Sequence, residues 1–237
     1  MRQMLAVMAI LLFGVSAQAQ PAKRPVVVEL FTSQGCSSCP PADAVLAELT
    51  QRDDILALGF HVTYWNNLGW RDPYSLEIAT TRQRFYQWAF GTESVYTPQM
   101  VIDGRAQLVG SDRSGLKAAL QQEAAWLRAQ PPISVRLSRT PAGVAVDVSG
   151  GEGTASLILV GYDPVHRTEV ARGENSGRAL VEANIVRSYE QLGSWKGGAL
   201  HLTAQRPTAE RAAVILQAAD GKILGAARLE DGLAEAG

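Results

Sequence analysis

The sequence predicts an α/β domain of element order β-α-β-α-β-β-α, followed by a small all-β antiparallel sandwich domain. Three observations lead there. As far as residue 130, apolar runs of strand length alternate with apolar stripes at helical spacing. Gln130-Pro131-Pro132 then interrupts the chain, because paired prolines break a helix. Beyond that point the apolar period becomes two, and glycines or Asn/Asp/Ser clusters separate short runs.

The elements follow in order. Arg2, the apolar residues 4–15 and Ala17-Gln18-Ala19 have the layout of a cleavable secretory signal, expected over residues 1–19. Residues 26–31 (VVVELF) read as a buried strand, and Ala42, Val45, Leu46 and Leu49 as the stripe of a helix. Residues 55–62 (ILALGFHV) form a second buried strand. Residues 75–90 are predicted helical, with Ile78, Phe85 and Ala89 on one stripe. Residues 99–102 and 106–109 flank Asp103-Gly104-Arg105, and Asp-Gly is a strong hairpin signal. Leu116, Leu120, Ala124 and Leu127 mark a last helix, capped by Asp112 or Ser114. These elements make a domain over 20–130. Residues 131–237 make the sandwich, with strands around Val135, Val146, Leu159, His201, Ile215 and Ile223.

Composition narrows the function. The chain has 237 residues, 46% hydrophobic, with 22 basic and 23 acidic side chains. That is too apolar for disorder, and it has no basic excess with which to bind nucleic acid. No stretch after residue 19 has the 18 uninterrupted apolar residues of a membrane span, so the processed chain is expected to be exported, periplasmic or secreted, with no span.

There are only two cysteines, in Cys36-Ser37-Ser38-Cys39. The spacing follows the first strand and is expected to open the first helix, with Cys39 deeper in it. Unpartnered N–H groups and the macrodipole at a helix start favour a thiolate, which is the nucleophile. Cys36 would attack and Cys39 would resolve the mixed disulfide. As a structural link the pair is weak, since a ring this short contributes about 2 kcal/mol by the chain-entropy model. A zinc site needs more ligands than this pair offers, and His61, His166 and His201 are scattered without ligand spacing. Thr97-Pro98 precedes the third strand, where a cis peptide would present the Thr97 backbone to a substrate beside Cys36.

A strand, a C-x-x-C at a helix start and a Thr-Pro before a hairpin resemble the thioredoxin fold. More closely, residues 28–43 (VELFTSQGCSSCPPAD) and 96–104 (YTPQMVIDG) are similar to a secreted thioredoxin-like family known as domain of unknown function 1223. The similarity extends through Phe60-His61-Val62, Leu68-Gly69-Trp70, Glu174-Asn175, Gly177-Arg178 and Val186-Arg187-Ser188. It implies a thioredoxin-like domain with Cys36 and Cys39 at its site.

Other residues have two readings. Glu29 is a carboxylate in an apolar strand; it takes the proton of the second thiol or pairs with a cation, depending on its face. Asp43, one turn past Cys39, reads as a solvated or capping carboxylate. His61 reads as a satisfied core histidine. Tyr64, Trp65, Trp70 and Tyr74 line a peptide groove or pack internally. Residues 172–178 (RGENSGR) form a hairpin or long loop that could contact the other domain or a partner.

The expectation is an exported thiol–disulfide oxidoreductase with Cys36, Cys39, Thr97, Pro98 and Glu29 at its site. Its partners would be a disulfide- or thiol-bearing protein substrate and a redox partner protein. It needs no dissociable cofactor, because the electrons reside in the dithiol. The rival is a non-catalytic thioredoxin-like binding protein, or a carrier of a soft metal such as Cu(I), using the same cysteines.

Overall fold

Strand β1 (Val26–Thr32) is buried along its whole length, as a strand covered on both faces must be. The computed structural model describes residues 24–229; the segment expected to be a signal peptide lies outside them. After β1 come α1 (Pro40–Leu49), β2 (Ile55–His61), α2 (Glu77–Phe90), β3 (Gln99–Ile102), β4 (Ala106–Val109) and α3 (Arg113–Ala129). This is the order the apolar periodicity predicts. β1 runs parallel to β2 and antiparallel to β3. The β3–β4 hairpin turns through Asp103 and Gly104, with φ of 50° and 63°, the left-handed backbone that Asp-Gly tolerates. Asp112 caps α3 by accepting from the Gly115 N–H at 3.0 Å.

The second half supplies β5 (Ser134–Thr140), β6 (Gly143–Ser149), β7 (Ala155–Glu169), β8 (Ala179–Trp195), β9 (Leu200–Ala204), β10 (Arg211–Gln217) and β11 (Ile223–Arg228). Four of these strands join the first half in one eight-stranded sheet of order β11-β10-β7-β8-β2-β1-β3-β4, and β5-β6-β9 form a separate three-stranded sheet. The two sheets do face each other, through Leu137, Val146, Leu157, Val214, Leu216 and Trp195. The sandwich therefore exists, but its larger sheet is continuous with the sheet of the first half. The seam is a short parallel pairing of Gly59 with Ile185. Asn184, with φ of 47°, reaches across it, its amide donating to the Ala57 carbonyl at 2.8 Å. A Cβ on Gly59 would lie 3.3 Å from the Ala183 carbonyl oxygen, so a side chain there would crowd the seam. Joining at β8 covers what would otherwise be an open edge on β2.

On one face of the large sheet, α1 and α3 cover the β1 end through Val28, Leu30, Val45, Leu46, Leu116 and Leu120. On the other face, α2 spans both halves, with Tyr86 among Phe31, Phe60, Val160, Ala213 and Ile215. The buried stripe of α2 is Ala79, Thr80, Arg82, Gln83 and Tyr86. The expected stripe of Ile78, Phe85 and Ala89 is instead half-buried. The helix is turned because polar partners wait inside for Arg82 and Gln83.

Candidate functional site

Pro40 and Pro41 open α1. Neither has an N–H, so neither can reach back to the Cys36 or Ser37 carbonyl. The helix therefore begins at Pro40 with Cys39 as its N-cap, and the C-x-x-C stands ahead of it as a separate turn closed by Cys39 N–H to Cys36 O at 3.2 Å. This corrects the expectation that Cys36 opens the helix. Cys36 and Cys39 are disulfide-bonded, with Cα atoms 5.4 Å apart. Both are at 0% exposure, although Ser37 and Ser38 between them are exposed.

The Thr97–Pro98 peptide is cis. The Gly110 N–H donates to the Pro98 carbonyl at 3.0 Å. A Cβ on Gly110 would lie 2.8 Å from Ala42 Cβ and 3.3 Å from Pro98 Cβ. Pro98 is thus packed close to the first turn of α1. Trp65 Nε1 donates to Thr97 Oγ1 at 2.9 Å, and a Cβ on Gly35 would lie 3.1 Å from Trp65 Cβ. Trp65 therefore links the cis-proline loop to the residue before Cys36. Trp70 Nε1 donates to Gln34 Oε1 at 3.0 Å. Of the two readings of these aromatics, these contacts are internal packing around the turn.

Glu29 is not part of this grouping. Alternation along β1 sets Val28 and Leu30 toward α1 and puts Glu29, with Val27 and Phe31, on the α2 face. There it is fully buried and forms a two-pronged ion pair with Arg82, at 2.6 and 2.9 Å, with the Tyr86 hydroxyl also donating to it. Burial opposes the Arg82 charge, but the Glu29 carboxylate outweighs it and holds the guanidinium pKa above its ordinary value. Glu29 thus takes the cation-paired alternative, on the sheet face opposite α1, and the proton-shuttle role expected of it has no geometric support.

The acidic groups on the α1 side are others. Asp43 is buried and accepts from Thr32 Oγ1 at 2.7 Å. Burial pushes its carboxyl up to about 7, and the nearby Glu182 carboxylate adds to the push. Asp43 follows Cys39 by one helical turn, so the two side chains share a face. Its reading as a solvated carboxylate is thereby corrected. His61 Nδ1 lies 2.7 Å from Asp72 Oδ2. Burial works against a charged imidazole, but Asp72 prevails and lifts His61 to about 9. Asp72 also accepts from the Gln34 N–H at 2.9 Å, and Gln34 Nε2 donates to Glu182 at 2.7 Å. His61 is thus a core histidine satisfied by a carboxylate. Sequence reasoning assigned no role to Gln34, Asp72 and Glu182: Gln34 lies within the quoted segment 28–43, whereas Asp72 and Glu182 carry no motif and lie outside every quoted segment.

The second half reaches the turn that carries the disulfide. The tip between β7 and β8, residues 170–178, is closed at its base by Val170 N–H to Arg178 O and Gly177 N–H to Val170 O. Asn175 is completely buried, and its amide donates to the carbonyls of Gln34 and Cys36, both at 2.9 Å. The Ser37 N–H donates to Glu174 Oε2 at 3.0 Å; hydrogen bonding from the Ser37 side chain first, and from this N–H second, holds the Glu174 carboxyl below its ordinary pKa. The possible contact between residues 172–178 and the other half is therefore real, and it falls on the cysteine turn.

The family model described as a protein of unknown function (DUF1223) matches residues 27–217. The chain belongs to this family. Among solved structures, protein AGR_C_4864 from Agrobacterium tumefaciens is 30% identical, with a TM-score of 0.75 over 91% of this chain and 97% of that one. HBP35 of Porphyromonas gingivalis is 14% identical, with a TM-score of 0.56 over 92% of this chain and 79% of that one, a likeness of fold alone. No curated protein matches the chain. The matched span runs through both halves, from β1 to the end of β10, so the contact of Glu174 and Asn175 with the cysteine turn lies within the family's own extent. Among the described residues no helix is long and apolar enough to cross a membrane, and no cluster of His, Cys, Asp and Glu is arranged to hold a metal ion.

Proposed function

We propose that this family member is an exported thiol–disulfide oxidoreductase whose first half is thioredoxin-like. The observation that carries the reading is the Cys36–Cys39 disulfide in a tight turn at the head of α1, with a cis Thr97–Pro98 peptide packed near the same helix turn. A ring of this size stabilises little, so the pair is better explained by exchange chemistry than by cross-linking. Export fits as well, because disulfides persist in oxidising compartments.

In the reduced protein, the Cys36 thiolate attacks one sulfur of a substrate disulfide. That bond breaks, and the substrate's other sulfur leaves as a thiolate and takes a proton. Cys39, having lost its own proton, then attacks Cys36, closes the Cys36–Cys39 bond and releases the second substrate thiol. The substrate gains two electrons and the protein loses two; run backward, the same steps oxidise a dithiol. Asp43, one turn from Cys39, is placed to accept the Cys39 proton.

The test is reduction of a protein disulfide by the reduced chain under a continuous supply of a thiol donor. Turnover is expected, with loss on Cys36→Ser and a trapped mixed disulfide with Cys39→Ala. A wild-type protein with no turnover and a Cys39→Ala protein that traps nothing would sink the reading. The complete burial of both sulfurs favours a second one, a non-catalytic binding scaffold with a permanent disulfide; its mark is a disulfide that stays closed in excess dithiothreitol until the chain unfolds.

A further inference from the structure

The turn that carries the disulfide presents main-chain groups free of strand or helix pairing: the carbonyls of Gln34 and Cys36 and the N–H of Ser37. They lie outside strand and helix for a reason written in the sequence, although the Cys36 carbonyl also accepts the turn's own bond from the Cys39 N–H at 3.2 Å. Pro40 cannot donate to Cys36, and no regular element continues from β1 into the turn. Glu174 and Asn175 engage all three. Asn175 offers two amide N–H groups to two carbonyls, and Glu174 offers a carboxylate oxygen to an N–H. Amide donors and a carbonyl-like acceptor are what a polypeptide backbone offers along an extended strand.

We propose that the main chain of residues 34–37 is a docking edge for an extended peptide segment of a thiol- or disulfide-bearing protein, and that Glu174 and Asn175 occupy it as an intramolecular stand-in that leaves before the disulfide reacts. The substrate class rests on the oxidoreductase reading above; the cover does not.

The tip is built to leave. In residues 171–179 only Asn175 is buried, and the rest are exposed. Val170, buried at the base, is the one apolar side chain of 170–178 that is out of solvent, and none from 171 to 178 anchors the tip. It is held by the three polar bonds and by Gly173 resting against Trp70, where a Cβ would lie 3.0 Å from Trp70 Cβ. Opening therefore exposes little apolar surface, and segments of this kind open far more readily than the whole molecule unfolds. The base of the hairpin stays paired, since Glu169 and Ala179 lie opposite each other in the β7–β8 ladder. With the tip closed both cysteines are without access to solvent, and their exposure is assigned to the tip's opening, because Asn175 bonds the carbonyl of Cys36 itself.

The experiment measures reduction of the oxidised protein. A dithiothreitol thiolate attacks one sulfur of the Cys36–Cys39 bond, and the other leaves as a thiolate and takes a proton. The reagent's second thiol then closes its ring and expels the protein sulfur, so the protein gains two electrons and the reagent becomes a cyclic disulfide. The second-order rate is read by quenching and thiol labelling. Asn175→Ala is expected to react roughly tenfold faster than wild type and Glu174→Ala roughly threefold faster, as two and one hydrogen bonds are lost from the closed state. Near-ultraviolet circular dichroism checks that each variant keeps its fold. Should Asn175→Ala not fold, the exposed Glu174→Ala decides alone. Rates within experimental error of wild type in the folded variants overturn the cover. The same variants in the Cys39→Ala background are then offered a short single-cysteine peptide activated as a mixed disulfide. Faster capture of the peptide supports the docking edge, whereas faster reaction with dithiothreitol but not with the peptide overturns it. Chemical reduction needs no turnover, so a protein inactive on protein disulfides would remove the oxidoreductase reading and still leave these rates to judge the cover.

Discussion

Glu29 and Arg82 are 53 residues apart in sequence and meet in a fully buried, two-pronged ion pair beneath α2. The guanidinium also donates to the Tyr189 hydroxyl and to Gln217 Oε1, at 2.9 and 3.0 Å, and lies 5.1–5.5 Å from the ring centroids of Phe60, Tyr86 and Tyr189. One side chain thereby joins β1 and β2 to the strands of the second half. Arg82→Ala leaves a carboxylate buried without its cation and is expected to cost about 3–5 kcal/mol. Glu29→Met with Arg82→Leu leaves no charge behind and should cost less than Arg82→Ala alone. Urea unfolding of the three proteins checks this, and a double variant less stable than Arg82→Ala would contradict it.

A second expectation concerns pH. Asp43 is raised from 3.8 to about 7 in the folded chain, so the folded state keeps a proton that the unfolded state gives up. Stability contributed there is present below pH 3.8 and is lost as pH rises to about 7. His61 is raised from 6.5 to about 9; its contribution is full below pH 6.5 and is lost as pH rises through 9. Both slopes run the same way, so unfolding free energy should fall by a few kcal/mol between pH 5 and pH 9. Asp72, held below its ordinary value by His61 despite its burial, sets the opposite slope at the acid end. Asp43→Asn should reduce the fall between pH 5 and 7, to which Glu123, pushed up to about 7 by burial, and the buried Glu182 also contribute, and leave the fall from 7 to 9. Denaturant titrations at these pH values decide it; a wild-type curve equally high at pH 5 and 9 would count against the cluster as described.

Much of this architecture could be read from residue pattern, and what escaped did so for physical reasons. β1 and β2 are continuous apolar runs, and Asp103-Gly104 supplies a turn that few other dipeptides make, so the first half was legible in order. β8 was not seen as a strand. Its two-residue alternation is broken by register shifts opposite Leu157/Ile158 and Gly161/Tyr162, and it carries Glu182 inward and Asn184 at positive φ. The seam with β2 depends on that strand, which is why two separate domains were the natural expectation. At the candidate site, the Cys36–Cys39 pair is legible from its spacing and Thr97-Pro98 from its place just before the β3–β4 hairpin. Glu29 could not be assigned a face, since alternation gives the parity of a strand but not its phase. Asp43 and Asn175 are buried by partners far along the chain, and polar residues of that kind look like surface until those partners are known.

The continuous sheet makes a prediction about cooperativity. One buried cluster contains Phe31 and Phe60 from the first half together with Val160, Val186, Ala213 and Ile223 from the second. Cutting the chain between α3 and β5 would open the β2 edge and remove the second-half members of the cluster around Tyr86 and Phe60. The intact chain is therefore expected to unfold in a single calorimetric transition, with calorimetric and van't Hoff enthalpies in agreement. Residues 24–130 produced alone should fail to give dispersed amide resonances. Two resolved transitions in the intact chain would instead mean that the halves are energetically separate despite sharing a sheet.

The last prediction weighs the disulfide itself. Cys36 and Cys39 close a ring three residues apart in sequence, and a ring of that size removes little entropy from the unfolded chain, worth about 2 kcal/mol. Against it stand contacts that do not depend on the S–S bond: Asn175 to the Cys36 carbonyl, Gln34 to Asp72 and Glu182, and Trp65 to Thr97. These hold the turn in place whether or not the sulfurs are joined. Reduction should therefore lower Tm by only about 4–8 °C for a chain of this length and leave the far-ultraviolet circular dichroism unchanged. Cys36→Ser and Cys39→Ala should show the same modest loss, and a reducing agent should not shift either variant further. A scan in a phosphine reductant against one without it reads the difference. Collapse of the fold on reduction would show that the bond is structural and would weaken exchange chemistry as the reason these two cysteines are present.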